Sequence, residues 1–501
     1  MTNILVLGGT GYIANRLVPE LVSKGYNVKV SYRDKTHLQS SWLNDSKIHL
    51  VYANTFDKNS LNKAFKECHV IYYLVHSMES AYYKHLADFE LESAKNTMEA
   101  ALANNVERII FLGALKSSNK EISKHLISRI EVARLFRGSP IATTVFRASA
   151  IIGSGSAVCE LMRKLLTYFP AVLVPRSINN RTQPIAVENV IYYLVNCLDI
   201  PETMNRSFDI GGEEIFQCRE ILTMMKRYLG VRSILLPVRI LPLRLISYGL
   251  GLATVVPTPI SRSLVGGLAS ETVCQNNGIR SLMPQKLLSI EDQIHKILSE
   301  WKYLLTCDII GKPTQYPCWS LQGDYPWVGF MILRDHRYSI LKGNYNRIWN
   351  VIAKIGGEGG YFGTNWLWQI RGILNKLLGG KKLNKAPEKL QKDEKFDFWK
   401  IYRVRKYEEL VLWNELKMPG QATLTFRLQH FSDNRVVLHQ IVRYYPKGFI
   451  GLCNWILMYG FRQYTLSKMF QNIINLSGAE VIQRMKENPP LTKDGRLAHI
   501  N

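Results

Sequence analysis

Apolar residues in the first 200 positions fall in short blocks. Ile4–Leu7, Val28–Tyr32, Ile48–Tyr52, Val70–Val75, Arg108–Leu112 and Thr143–Arg147 read as strands. The stretches between them change to helical spacing, as in Asp88–Asn104, where Phe89, Ala94, Met98 and Leu102 recur on one side. Strands that alternate with helices predict a parallel sheet covered by helices, an α/β fold. A further strand, Ser207–Ile210, runs into Gly211-Gly212, and a helix is expected to start near Cys218.

The pattern then changes twice. From Ser233 to Leu268 the chain turns to Leu, Pro and Gly with isolated arginines, which we read as a substrate-side segment (about 233–300) closed by a helix at Ile290–Trp301. This sets a first domain at 1–305 and a linker at 306–324, marked by Pro313, Pro317 and Gly323. A second domain, 325–480, has a different grammar. An amphipathic helix, Asn344–Ile355, ends at Gly356-Gly357, and four alternating segments follow: Phe396–Lys406, Glu408–Lys417, Ala422–Gln429 and Val436–Tyr445. Alternation between polar turns predicts an antiparallel meander, and one long apolar helix, Phe449–Leu476, closes it. A curved sheet gripping a long helix is one way to enclose an apolar cavity. Residues 481–501 read as a tail.

The chemistry concentrates at the start. The strand Ile4–Leu7 runs straight into Gly8-Gly9-Thr10-Gly11-Tyr12-Ile13-Ala14 and then a helix, Asn15–Lys24. A dinucleotide site needs that order. Gly8 makes the tight turn, Gly11 lets backbone approach a pyrophosphate, and Ala14 lets helix and strand pack closely, with the diphosphate on the helix N-terminus.

Charge and cysteines add less. The 501 residues carry 64 basic and 40 acidic side chains, a net charge of +24, which suggests an anionic partner such as a phosphorylated cofactor or an anionic membrane surface. Lys376–Lys406 alone holds eleven basic against four acidic residues. Nucleic acid ranks last, because no recognition motif accompanies the charge. The eight cysteines include no Cys-x-x-Cys, so neither a metal site nor a disulfide framework is expected, and a reducing, cytoplasmic compartment fits. No leader is expected before a strand that begins at residue 3. The longest uncharged run, seventeen residues between Arg244 and Arg262, is broken by glycines and prolines and is too short for a membrane span, which leaves peripheral membrane contact open.

With these residues laid out, the first 300 positions resemble the atypical short-chain dehydrogenase/reductases, the NmrA-like and complex-I-39-kDa-like branch with NAD(P)-binding Rossmann folds. The resemblance rests on Gly8–Ala14, Tyr72–Met78, Arg108–Gly113, His125–Arg129, Ile151–Ser156 and Gln183–Ala186. Residues 325–480 resemble the DUF2867 domain that follows such a reductase domain in bacterial proteins, through Ile355-Gly356-Gly357, Leu367–Gly372, Asp397-Phe398-Trp399 and Glu415–Gly420. Its pattern is similar to the START-like helix-grip fold. The resemblance implies a doubly wound parallel sheet followed by an α+β helix-grip domain. It places Gly8, Thr10, Gly11, Tyr12 and Ile13 on the cofactor, Asn54 beside the adenine, Leu74, Val75 and His76 on the ribose and nicotinamide side, and Gly113 at the next strand end.

Two chemical questions stay open at this level. NAD-binding units usually end their second strand in an acid, whereas this one ends Val30-Ser31-Tyr32-Arg33. A guanidinium suits a 2′-phosphate, so NADP is expected ahead of NAD, unless Arg33 only faces solvent. The Tyr-x-x-x-Lys pair of most short-chain dehydrogenases is absent from residues 1–300, and His125-x-x-x-Arg129 stands where it should fall. His125 as proton donor, Arg129 as ribose holder and Ser117 as carbonyl polariser form the catalytic reading; a surface histidine and a structural arginine form the alternative. The corresponding functions are an NADPH-dependent reductase for a small apolar carbonyl substrate, with a second domain that holds a hydrophobic ligand, or a cofactor-binding sensor without turnover.

Overall fold

The computed structural model describes residues 2–34, 38, 41–76, 86–115, 124–238, 258–267, 270–310, 332–356, 360, 390–416, 418–431 and 435–487. The chain divides into two compact units, Met1–Lys302 and Phe330–Asn501, with the intervening residues shared between them.

In the first unit, β1 (Asn3–Leu7), α1 (Ala14–Ser23), β2 (Asn27–Tyr32), β3 (Ile48–Tyr52), α2 (Lys58–Phe65), β4 (Val70–Tyr73), α3 (Leu86–Ala103), β5 (Arg108–Ala114), α4 (Lys124–Arg137) and β6 (Ala142–Ala148) alternate strand with helix. Then come α5 (Ala157–Tyr168), β7 (Ala171–Pro175), α6 (Val187–Asn196), β8 (Arg206–Ile210), α7 (Cys218–Leu229), β9 (Ile234–Val238), α8 (Thr258–Gly267) and α9 (Ile290–Ile310), whose last turns run past the unit's boundary at Lys302. The main sheet has seven strands in the order β8-β6-β5-β4-β1-β2-β3, all parallel. Every residue of β1 from Ile4 to Leu7 is buried, and separate apolar clusters pack on the two sheet faces, as expected of a sheet with helices on both sides. The strand order reverses between β1 and β4, which opens a crevice at their carboxyl ends. The predicted strands of this sheet are all present, and the doubly wound fold is as the resemblance implies.

A second layer of chain is tied over the carboxyl edge. Asp209, at the end of β8, accepts from Gln275 and Asn276 amides at 2.9 and 3.2 Å. Ser149 Oγ lies 3.1 Å from Thr182 Oγ1 and donates to the Thr272 carbonyl at 3.0 Å. β7 pairs with β9 in a small parallel sheet. Residues 239–257 of the substrate-side segment lie outside the described residues.

The second unit comprises β10 (Leu333–Lys342), α10 (Tyr345–Ile352), β11 (Lys395–Phe396), β12 (Trp399–Arg405), β13 (Glu409–Asn414), β14 (Gly420–Phe431), β15 (Arg435–Pro446), α11 (Gly448–Leu457), α12 (Tyr459–Ser477) and β16 (Glu480–Glu487). Its strands form an antiparallel sheet in the order β11-β12-β13-β14-β15-β10-β16. Leu466, Met469, Phe470 and Ile473 of α12 pack on Leu410, Leu412, Leu424 and Phe426.

Four expectations are corrected here. The long C-terminal helix is two helices, broken at Met458, where the backbone leaves helical geometry (φ −80, ψ 7). The supposed tail begins with β16, which hydrogen-bonds to β10 as the last strand of the sheet. α9 continues to Ile310, past the expected start of the linker. Among the described residues, the grip between sheet and α12 is packed with those core side chains. The cavity beside them, lined by Trp399, Leu424, Trp455 and Phe461, measures about 90 Å³, well below the several hundred Å³ of an ordinary ligand pocket. Trp366, Trp368, the linker from 311 and the basic stretch through 389, with Lys381 and Lys382, lie outside the described residues.

Candidate nucleotide and substrate site

The glycine-rich turn is built at the reversal of strand order. Gly8 follows β1 with φ +87, a conformation L side chains rarely adopt. A Cβ on Gly8 would sit 2.9 Å from the Leu74 carbonyl carbon and oxygen, and one on Gly9 2.7 Å from the Ser31 carbonyl oxygen. These two glycines serve the fold, wedged between the ends of β4 and β2. The Gly8 amide donates to the buried Ser31 Oγ at 2.9 Å, and Gly11 donates to the Gly8 carbonyl at 3.1 Å, closing the turn. Gly11 differs: its Cβ would meet only the Gly8 oxygen, at 3.3 Å. The protein leaves room there, so the need for glycine at 11 comes from what approaches the turn. That space, in front of the first turn of α1 and its positive dipole end, fits a dinucleotide pyrophosphate.

Arg16 holds the turn to the next strand end. Its guanidinium donates to the Tyr12 carbonyl at 2.9 Å and the Ser154 carbonyl at 2.8 Å while stacking 3.7 Å over the Tyr12 ring. The Tyr12 hydroxyl lies 2.5 Å from where a Cβ on Gly153 would be, so Gly153 makes room for the ring. Thr10 and Ile13 are half-buried within the same turn.

The remaining cofactor candidates lie at or just after the ends of β2, β3, β4 and β5. Arg33 is exposed immediately after β2. Asn54 follows β3, where its side-chain oxygen accepts from the Phe56 amide at 3.1 Å and its own amide donates to Ser60 Oγ at 3.0 Å, shaping the turn into α2. Leu74, Val75 and His76 follow β4 and are half-buried. Gly113 lies near the end of β5, where a Cβ would press on the Phe111 ring at 2.9 Å.

Of the catalytic trio, Arg129 is the one whose side chain is described. It is buried on α4, donating to the Val75 carbonyl at 3.0 Å and the Leu112 carbonyl at 2.6 Å, with its guanidinium 4.5 Å over the Phe111 ring. It thus joins the carboxyl ends of β4 and β5. His125 is in the first turn of α4, with its side chain outside the described residues, and Ser117 lies outside them altogether.

Sequence reasoning missed a buried carboxylate. Glu90, 2% exposed on α3, places Oε1 3.3 Å from His76 Nδ1 and accepts a hydrogen bond from Ser128 Oγ of α4. Burial pushes the Glu90 carboxyl up, but His76, Arg129 and Ser128 together bring it well below the usual carboxylate range. Burial moves His76 the other way, below its ordinary 6.5, against the pull of Glu90. Near neutrality the pair is therefore a carboxylate beside a neutral imidazole. In the sequence Glu90 shares its helix face with Ser93 and Thr97, which are buried with it, so its spacing alone did not mark it.

His76 also lines a cavity of about 340 Å³, whose wall continues through Ala114, Ala148 and Ser149 at the ends of β5 and β6. α5, β7, α7 and α8 contribute Leu161, Val172, Ile221 and Val265, so the enclosure is almost wholly apolar. Among the described residues no cluster of His, Cys, Asp and Glu suits a metal ion.

The comparisons with known proteins agree with this geometry. Residues 8–151 match the model of the NAD(P)H-binding family, and residues 327–469 match DUF2867, a family of proteins of unknown function. The chain joins an NAD(P)H-binding Rossmann domain to a DUF2867 domain. The Rossmann domain is similar to NADH dehydrogenase [ubiquinone] 1 alpha subcomplex subunit 9, mitochondrial, of Dictyostelium discoideum, at 25% identity over 44% of this chain and 62% of that protein. Photosystem II assembly factor Ycf39 of Trieres chinensis is 20% identical over 49% of this chain and 75% of its own length. Divinyl chlorophyllide a 8-vinyl-reductase, chloroplastic, of Cucumis sativus is 24% identical over 42% and 53%. The match thus spans less than two thirds of the first of these relatives. They include both a reductase and an assembly factor, so the Rossmann domain is oxidoreductase-like in family.

Proposed function

We propose that the Rossmann domain is an NADPH-preferring oxidoreductase for an apolar carbonyl-type substrate. The observation that carries this reading is the apolar 340 Å³ cavity at the ends of β4, β5 and β6, on the same edge of the sheet as the glycine turn. Gly8 to Ile13 would hold the pyrophosphate, Asn54 would stand beside the adenine, and Arg33 would meet a 2′-phosphate. When bound, the nicotinamide supplies hydride chemistry. The chain's own part is to exclude water from an apolar substrate and to handle its proton.

His76 fits that second task. Glu90 and Ser128 orient its ring from behind, so the neutral imidazole takes the proton of a hydroxyl in the oxidative direction and, as imidazolium, returns it in the reductive one. Arg129 positions this group through the Val75 carbonyl. His125, one turn before Arg129 and next to the cavity-lining Leu126, is the second candidate for proton transfer. The sensor reading is favoured by one observation: Arg129 spends two N–H groups on strand-end carbonyls instead of facing outward as a ribose-holding lysine would.

Absorbance loss from NADPH with a panel of apolar aldehydes, ketones and enones tests the proposal. Turnover is expected, with His76→Gln lowering kcat at least tenfold and cofactor affinity little changed. Equal loss in His125→Ala alone would move the role to His125. Tight NADPH binding without turnover across the panel would establish the sensor.

A further inference from the structure

Helices α11 and α12 expose apolar surface where they join. Ile450, Ile456 and Leu457 are 72%, 62% and 78% exposed, and Phe449, Met458 and Tyr459 are 45%, 47% and 58% exposed. Single exposed apolar residues are ordinary, but six large ones within residues 449–459 form a patch of the kind that marks an interaction surface. Burying such side chains is favourable, yet the fold leaves them in water. The break at Met458 falls among them.

From Asn434 to Ala479 the chain contains no Asp or Glu. Lys447, Arg462 and Lys468 lie on or beside the two helices, and Arg462 is paired with Asp335 of β10. Lys447, just before α11, and Lys468 on α12 are exposed. The Arg462 guanidinium lies 3.4 Å over the Trp455 ring and 5.7 Å from Tyr459, holding two amphipathic rings at the border of the patch. We propose that this face docks on an anionic lipid bilayer, with the α11–α12 junction in the headgroup and upper acyl region and the lysines against lipid phosphates.

Three observations favour lipid as the occupant. Large apolar side chains beside lysines and interfacial aromatics are the composition of helices that lie in a membrane interface. α11 has ten residues, about 15 Å of helix, and among the described residues no helix is long and apolar enough to cross a membrane, so the contact is peripheral. A second copy is disfavoured by symmetry. A two-fold contact would bring the patch against itself, and the exposed Lys447 and Lys468 would find no acid on either copy of α11 or α12.

Co-sedimentation of the full chain with phosphatidylcholine vesicles, with and without phosphatidylglycerol, tests this. Binding to the anionic vesicles is expected to exceed binding to neutral ones at least tenfold and to weaken with added salt. Leu457→Asp and Ile450→Asp should each reduce it at least tenfold at an unchanged melting temperature, since both positions are already in water. Lys447→Glu should reduce binding to anionic vesicles selectively. The proposal fails if the wild type stays in the supernatant with anionic vesicles, or if Leu457→Asp binds as well as the wild type. It also fails if the wild type is a dimer that Leu457→Asp dissociates, which would assign the face to a second copy.

Discussion

At the residue scale, the three glycines of the turn separate fold from ligand. Gly8→Ala forces a side chain into positive φ and into the Leu74 carbonyl, so it should cost about 1–3 kcal/mol of stability, visible as a lower melting temperature. At Gly11 the Cβ of a valine would meet only the Gly8 oxygen, so in Gly11→Val the fold should survive while titration calorimetry finds no cofactor binding. A stable Gly8→Ala variant, or a Gly11→Val variant that still binds, would undo that division. Arg33→Ala should lower NADPH affinity about tenfold and leave NADH affinity unchanged; equal affinities in the wild type would remove the preference. The Glu90–His76 pair makes two pH predictions. The neutral His76 ring persists below its ordinary 6.5, so the rate of the oxidative reaction should stay level through neutrality and fall only on the acid side of that value. Because folding depresses the Glu90 pKa, its contribution to stability is full above the ordinary 4.5 and is lost as pH falls below it. Glu90→Gln should destabilise the domain by about 2–4 kcal/mol and remove that part of the acid sensitivity, as a melting series against pH would report.

At the element scale, the sequence was most readable where burial and periodicity coincide. β1 to β6 were found because strands covered on both faces are continuous apolar runs, and the glycine turn because its residue types follow from backbone geometry. β10 was not found, since Asp335, His336, Arg337 and Ser339 are buried there as polar groups and erase the alternation. β16 mixes Val481, Ile482 and Met485 with Glu480, Gln483, Arg484 and Lys486, has no clean alternation, and so reads as a tail. The break at Met458 carries no proline, and an uncharged stretch gave no reason to divide the helix. In the site, Glu90 and Ser128 act through tertiary contacts between α3 and α4, which no local spacing reveals. β16 also covers the edge of β10 and accepts the Ser339 hydroxyl at the Gln483 carbonyl. Truncation before Glu480 should therefore open that edge, lower the melting temperature and promote aggregation. An unchanged melting curve would show β16 to be dispensable.

At the scale of the whole molecule, two units with separate cores divide the work. The Rossmann domain offers a cofactor crevice and an apolar cavity on one sheet edge. Among its described residues the DUF2867 domain packs its sheet on α12 and exposes apolar side chains at the α11–α12 junction, which suits docking. An apolar substrate drawn from a membrane would link the two roles. The central claim is that the cavity presents such a substrate to the cofactor for hydride transfer. A single-turnover reaction with NADPH carrying deuterium at the transferable position of the nicotinamide tests it directly. The account predicts deuterium on the reduced carbon of an apolar carbonyl substrate; NADPH that binds tightly but keeps its label with every substrate offered would contradict it.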